Sequence, residues 1–253
     1  MRQPHIKCDT GDISEWIIIP GDPQRIDIIT KNWDTKKEVA YNREHRTVRG
    51  TYKDLDITCT STGMGCPSAS IAIEELTNIG AKGVIRIGTC GGLLPEMKSG
   101  DLIIPIAAMK SDGTTKEYVG SDYPAVADID VVNALIKIAK QKKVRFFVGI
   151  NRTHDVFYEP IENFTKLADI NSKRLVSSEM ECSAVFLVSD LRNIKSGAIL
   201  VINTPEPPAE VKVDPSIVYK LADEEAVKVG MDNAVEITLE AIRLLQKKDI
   251  GSF

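Results

Sequence analysis

The segment Trp16-Ile17-Ile18-Ile19-Pro20-Gly21-Asp22-Pro23-Gln24-Arg25 sets a short, β-branched apolar run directly against a loop of proline, glycine and charge. A run this short, lacking the spacing of one helical face, suits a strand buried on both sides. The same pattern returns at Ile57–Thr60, Val84–Gly88, Leu102–Ala107, Arg145–Ile150 and Ala198–Ile202. Between these runs lie helical periodicities. Pro67 suits the first turn of a helix, Ala69, Ala72, Ile73, Leu76 and Ile79 form one apolar stripe, and Gly80 can end it. A longer stripe of Val227, Met231, Ala234, Val235, Ile242 and Leu245 closes at Lys247 and Lys248. This alternation predicts an α/β fold, a single domain over residues 1–253 whose central mixed, mostly parallel twisted sheet is flanked by helices. Ligands of such sheets bind beyond the carboxyl ends of strands. That directs attention to Gly21–Arg25, Gly63–Ser68, Gly88–Gly92 and Asn203–Glu210, each expected to follow a strand.

The chain of 253 residues is 43% hydrophobic and 27% charged, a globular profile that can build a core and carries no disordered signature. A net charge of -4 argues against nucleic acid as a partner, while leaving room for a local arginine pocket. No apolar run approaches the roughly 18 residues of a membrane span, and the polar N-terminus lacks a signal-peptide pattern. No membrane partner is expected. Cys8, Cys59, Cys66, Cys90 and Cys182 are odd in number and without metal spacing, and histidines occur only at 5, 45 and 154. The expectation is a reduced, cytoplasmic protein with no metal site.

Three segments carry residues suited to chemistry. Gly21 in Pro20–Arg25 lets backbone amides approach an anion, and Arg25 supplies a charged fork; the plain alternative is a turn with a surface arginine. Arg86 lies inside an apolar strand, where it needs an anionic partner. That partner is either a ligand bound beside Gly88-Thr89-Cys90-Gly91-Gly92 or a structural carboxylate such as Glu74 or Glu75. In Ser178-Glu179-Met180-Glu181-Cys182, the carboxylates either favour a helix start or bind sugar hydroxyls, with Met180 packing on the apolar side of a ribose. Neither glycine segment has the spacing of a dinucleotide fingerprint, and no P-loop lysine is present.

Taken together, several segments resemble the hexameric purine nucleoside phosphorylase and uridine phosphorylase family. They are Ile17–Arg25, Tyr41-Asn42-Arg43-Glu44, Ser61–Ser68, Arg86–Gly92, Pro124–Asp128, Asp155-Val156-Phe157-Tyr158 and Glu179-Met180-Glu181, in family order. The resemblance implies reversible phosphorolysis of a nucleoside to free base and ribose 1-phosphate, a pentosyltransferase reaction of nucleoside salvage. It implies no cofactor, with inorganic phosphate as co-substrate. Gly21, Arg25, Arg86 and Thr89 would bind phosphate, with Arg43 contributed by a neighbouring subunit. His5 would reach across the same interface to the ribose, alongside Met64, Met180 and Glu181. Phe157, Glu179 and Asn203 would face the base, and Asn203, Glu181 and Arg86 would carry the catalytic roles. The family pattern further implies a homo-oligomer, a hexamer formed as a trimer of dimers with shared active sites, and a monovalent cation near Glu44.

One position departs from the family. The bacterial purine enzymes place an aspartate just after the strand corresponding to Ala198–Ile202, where this chain has Asn203-Thr204-Pro205-Glu206. An amide or hydroxyl donates a hydrogen bond but is no ordinary carboxylic acid. Asn203 is therefore expected to hydrogen-bond the base, with Glu206 and Glu210 as the other candidate proton donors. Uridine phosphorylases read uracil with a glutamine after the Phe-Tyr motif and a later arginine; here those places hold Ile161 and Thr204–Pro208, without an arginine. The short stretch from Tyr158 to Glu179 resembles the purine branch, while Ser61–Gly65 and Arg86–Thr89 stand closer to the uridine branch. The resulting expectation is a purine nucleoside substrate such as inosine, with uridine as the alternative. A water-using nucleosidase would not need three arginines converging on one anion, and a non-catalytic nucleoside sensor is the reading that the missing aspartate leaves open.

Overall fold

The computed structural model describes residues 1–158, 174–205 and 222–249. Its first strand, β1 (Trp16–Pro20), is the run quoted above, and Ile17, Ile18 and Ile19 are all sealed from solvent. Burial on both faces explains why this strand reads as a continuous apolar run; each such isoleucine is worth roughly 1.5–3 kcal/mol in transfer free energy. β1 lies between two parallel neighbours, β4 (Leu55–Thr60) and β5 (Gly83–Gly92). A hairpin of β2 (Thr35–Asn42) and β3 (His45–Tyr52) extends the sheet antiparallel beyond β4.

On its other side β5 pairs in parallel with β10 (Lys195–Thr204), and its C-terminal end also meets β9 (Leu175–Glu179) in antiparallel fashion. β6 (Leu102–Ser111) and β8 (Phe146–His154) connect β10 to β9, while the short β7 (Ala125–Val126) flanks β6. The α/β architecture and mixed sheet are as expected. Among the described residues, however, its strand pairings are not mostly parallel. Parallel pairings (β1–β4, β1–β5, β5–β10, β6–β8, β8–β9) are matched among the described residues by antiparallel ones (β2–β3, β3–β4, β5–β9, β6–β7, β6–β10).

The hairpin strands β2 and β3 went unread because they are not apolar runs. β2 is an exposed edge strand carrying Lys36 and Lys37, which discourage further pairing, and β3 mixes arginines and threonines with its buried positions. The helices are α1 (Arg25–Ile29), α2 (Cys66–Asn78), α3 (Thr114–Tyr118), α4 (Ile129–Lys142), α5 (Cys182–Leu191) and α6 (Glu224–Asp249). The first turn of α2 contains Pro67, and its end is marked by Gly80 at φ 112°, both as expected. Asp128 caps α4 by accepting from the amides of Asp130 (2.9 Å) and Val131 (3.1 Å). α2 packs on α5 and α4 on α6, while the apolar residues join in one core. Among the described residues no helix is long and apolar enough to cross a membrane.

Candidate active site

The carboxyl ends of β1, β5, β9 and β10 lie together, and Arg86 is the side chain that joins them. It leaves the middle of β5 and is buried, with room made by Gly88, where a Cβ would stand 2.7 Å from Arg86 Nη2. Its Nε donates to Glu179 Oε2 at 3.1 Å, and its Nη2 donates to Glu181 Oε2. These carboxylates, not Glu74 or Glu75, are its partners: Glu74 pairs with Arg192, and Glu75 holds His5. Burial alone would weaken the Arg86 cation, but Glu181 and Glu179 outweigh it and hold the guanidinium above its usual range. Its remaining nitrogen, Nη1, is buried with no hydrogen-bond partner among the described residues.

That nitrogen points towards the loop after β1. A Cβ on Gly21 would lie 3.9 Å from Arg86 Nη1 and 3.1 Å from the carbonyl oxygen of Gly63. The two loops are stitched together, with the Thr62 amide donating to Pro20 O (2.8 Å) and the Gly63 amide to Gly21 O (2.9 Å). Gly63 adopts φ 76°, and a Cβ there would fall 2.6 Å from Glu44 Cγ, so only glycine fits. Arg25 opens α1 half-buried and donates from Nη2 to Thr89 Oγ1 at 3.2 Å. Burial lowers the Arg25 pKa and the neighbouring Arg86 cation lowers it further, against partial relief from Asp22 and Glu181. Gly21, Arg25, Arg86 and Thr89 thus form one cluster, although Gly88–Gly92 is the end of β5 rather than a loop beyond it.

Glu179 and Glu181 have separate tasks. Glu179 Oε1 accepts from Asn151 Nδ2 (2.7 Å), Thr153 Oγ1 (2.8 Å) and the Cys182 amide (3.0 Å). Its Oε2 accepts from Arg86 Nε and from the amides of Glu181 (2.9 Å) and Cys182 (3.0 Å). Burial would raise this carboxyl, but Arg86 and these donors hold it below its ordinary value of 4.5. Such contacts make Glu179 an anchor for Arg86 and for the start of α5, so the expected base-facing role is not what its geometry supports. Glu181 is the N-cap residue of α5 and accepts from the Gly65 amide at 2.6 Å. Burial pushes its pKa up and the Glu179 charge adds to this, with Arg86 opposing. Since a carboxylate offers about four lone-pair sites, Glu181 keeps capacity for further donors such as sugar hydroxyls. Half-buried Met180 lies between the two, and Met64, 85% exposed, rims the Gly63–Gly65 loop.

The remaining expected residues stand further out. Arg43 is exposed at φ 53° in the tight β2–β3 turn, and no hydrogen bond or ion pair among the described residues links it to Arg25 or Arg86. Beside it, Glu44 accepts from Ser68 Oγ at 2.7 Å, which keeps its pKa low and fastens the hairpin to the Gly63–Ser68 loop. No group of three or more His, Cys, Asp or Glu able to hold a metal occurs among the described residues. His5 is pinned to α2, its ring Nδ1 2.6 Å from Glu75 Oε1 and its amide 2.9 Å from Glu75 Oε2. Phe157 is exposed and packs edge-on against Tyr158 with ring centroids 5.1 Å apart.

Asn203 occupies a β-bulge: Ile202 pairs with Cys90 and Thr204 with Gly91, leaving Asn203 as the extra residue between them. Bulges re-aim side chains near sites, and this one distinguishes Asn203 from its neighbour Thr204, which is buried. Ile161, Glu206 and Glu210 lie outside the described residues. Residues unforeseen from sequence are Asn151, Thr153 and Ser177, whose polar side chains brace Glu179 from inside the sheet. The polar triplet Asn151-Arg152-Thr153 after an apolar run was the available signal.

Residues 15–243 match the model of the phosphorylase superfamily. The uridine phosphorylase of Thermococcus kodakarensis is 36% identical, the alignment covering 98% of this chain and 88% of that protein. The guanosine phosphorylase of Halorubrum lacusprofundi is also 36% identical, over 96% of this chain and 99% of that one. Among solved structures, purine nucleoside phosphorylase from Toxoplasma gondii in complex with immucillin-H is 33% identical, with a TM-score of 0.86 and 98% of each chain covered. The chain belongs to the phosphorylase superfamily.

Proposed function

We propose that this member of the superfamily is a nucleoside phosphorylase, a pentosyltransferase that cleaves a purine ribonucleoside with inorganic phosphate. The observation carrying the reading is the Arg25–Arg86 pair, in which two guanidiniums oppose one another's charge while buried Arg86 Nη1 lacks a partner. A phosphate there relieves both conditions, and Thr89 and the Gly21 backbone complete its cradle. Held in this way, a phosphate oxygen attacks the sugar carbon as the bond to the base breaks and its electron pair leaves with the base. The phosphate charge also stabilises the developing positive charge on the ribose ring. Glu181 holds the sugar hydroxyls, with Met180 and Met64 on its apolar side. Asn203 donates a hydrogen bond to the departing base, the role that a carboxylic acid would otherwise fill.

Arg43 on its exposed hairpin tip, and His5 fastened to α2, suit contributions to the site of a neighbouring copy, as in a hexamer built from dimers. The enzyme then works in nucleoside salvage in the cytoplasm, and Glu44 at the hairpin is the residue to which a monovalent cation would bind. Uridine is the second reading, favoured by the similarity to the Thermococcus kodakarensis uridine phosphorylase. Release of base from inosine, adenosine and uridine, followed with and without phosphate, tests these readings. The expected result is strictly phosphate-dependent release, fastest for inosine. Fastest release from uridine would reverse the choice of base. Release without phosphate would mark a nucleosidase, and binding without turnover would mark a sensor.

A further inference from the structure

Ser178 stands in β9 between two residues wholly engaged in the buried network, yet its own Oγ is buried with no hydrogen-bond partner among the described residues. The strand explains the contrast. Ser177 donates to Asn151 Oδ1 at 2.9 Å and Glu179 receives Arg86, so positions 177 and 179 share one face of β9. Successive side chains alternate, which places Ser178 on the opposite face. Ser178 pairs with Gly91 of β5, and Thr89, two residues before Gly91, lies on that same face with its hydroxyl against Arg25. Ser178 therefore shares a face with Thr89, on which Arg25 closes, and lies opposite the face where Arg86 meets Glu179.

Gly91 keeps the surface between them low. Among the described residues a Cβ there would meet no side chain within 4 Å, only the carbonyl oxygens of Ser178 and Thr204, each at 3.9 Å. The bulge at Asn203 borders the same glycine from β10. Gly91 thus has Thr89 and Arg25 on one side and Ser178 and the Asn203 bulge on the other, an order that suits an anion at one end and a polar, uncharged group at the other.

We infer that Ser178 is a specificity-determining residue whose hydroxyl hydrogen-bonds a polar edge atom of the nucleobase, an inference that rests on the phosphorylase reading above. A buried hydroxyl without a partner is a standing cost to the fold, which a ligand hydrogen bond offsets. Because a hydroxyl both donates and accepts, it serves a carbonyl or a ring nitrogen alike, and it penalises a base lacking either at that edge.

The test is Ser178→Ala, assayed with inosine, purine riboside (which lacks the 6-oxo group) and uridine, together with the KM for phosphate and the melting temperature. The expected outcome is a roughly tenfold fall in kcat/KM for the preferred nucleoside and a changed ranking of the three. The phosphate KM should stay within about twofold and the melting temperature should be equal or higher. Unchanged kinetics, or an equal fall for all three nucleosides, would overturn the inference while leaving the phosphorylase reading intact. Absence of phosphate-dependent turnover in the unsubstituted chain would instead remove the reading of the whole site, and the Ser178 role with it.

Discussion

Around Arg86, long charged side chains cross the interior of the sheet and meet carboxylates that are themselves held by hydroxyls, amides and helix N–H groups. At the ends of β9 and β10, Ser178 and Asn203 are short, uncharged and only partly enclosed, and among the described residues their side chains receive no such bracing. The difference follows from what each end is proposed to bind. A site for an anion needs cations out of water, and a buried charge is tolerable only with its partners in place. A site for a neutral base needs only directed donors and acceptors, which can change between relatives without unfolding the sheet. The same division suits a family whose similar members include both a uridine and a guanosine phosphorylase.

Removing Arg86 is the strongest way to probe this contrast. Arg86→Ala leaves two buried carboxylates without their cation, so we expect a stability loss of about 3–5 kcal/mol in urea unfolding. We also expect kcat/KM to fall about a thousandfold. A variant with native stability would show that Glu179 and Glu181 are neutralised by some other means. At the other end, Asn203→Ala should lower kcat for the nucleoside about 10- to 100-fold while changing stability little. Phosphorolysis at the unsubstituted rate would remove Asn203 from the mechanism and return attention to Glu206 and Glu210.

The smallest effect concerns acid stability. Glu179 titrates below its ordinary value in the folded chain, chiefly because Arg86 and its hydrogen-bond donors outweigh burial. Its contribution is therefore fully present above the unfolded carboxylate range and is lost as pH falls through the lower folded value. Glu181, pushed upward by burial, contributes with the opposite sign. Glu179→Gln should flatten the loss of stability between about pH 5 and pH 3, measured as the urea midpoint against pH, whereas Glu181→Gln should not. Equal acid limbs for both variants would mean that the two carboxylates act as one group.

Much of the phosphate end was legible in the chain because rare residue types signal there. An arginine inside an apolar strand, and glycines after β1 and along β5, stand out against Ile-rich surroundings. Glu179 was harder to read: its motif suggests a ligand contact, but its role depends on Asn151 and Thr153, which arrive from β8, 28 and 26 residues earlier. Strands β2, β3 and β9 were invisible for a related reason. None carries a long apolar run: β2 is an exposed edge, and β3 and β9 mix polar residues with their buried positions.

From the sequence alone came the α/β class, the helix limits set by Pro67 and Gly80, the arginines suited to an anion, and a segment order resembling nucleoside phosphorylases. The first three are properties of local composition and spacing, where conformational preference and burial act within a few residues; the last is a resemblance of motifs. Only the tertiary structure decided that Arg86 is met by Glu179 and Glu181, that Asn203 sits in a bulge, and that Ser178 turns its hydroxyl to the face carrying Thr89. Each depends on strand register, and a shift of one residue exchanges the two faces of a strand. Register is set by packing across the whole sheet, which no single segment contains.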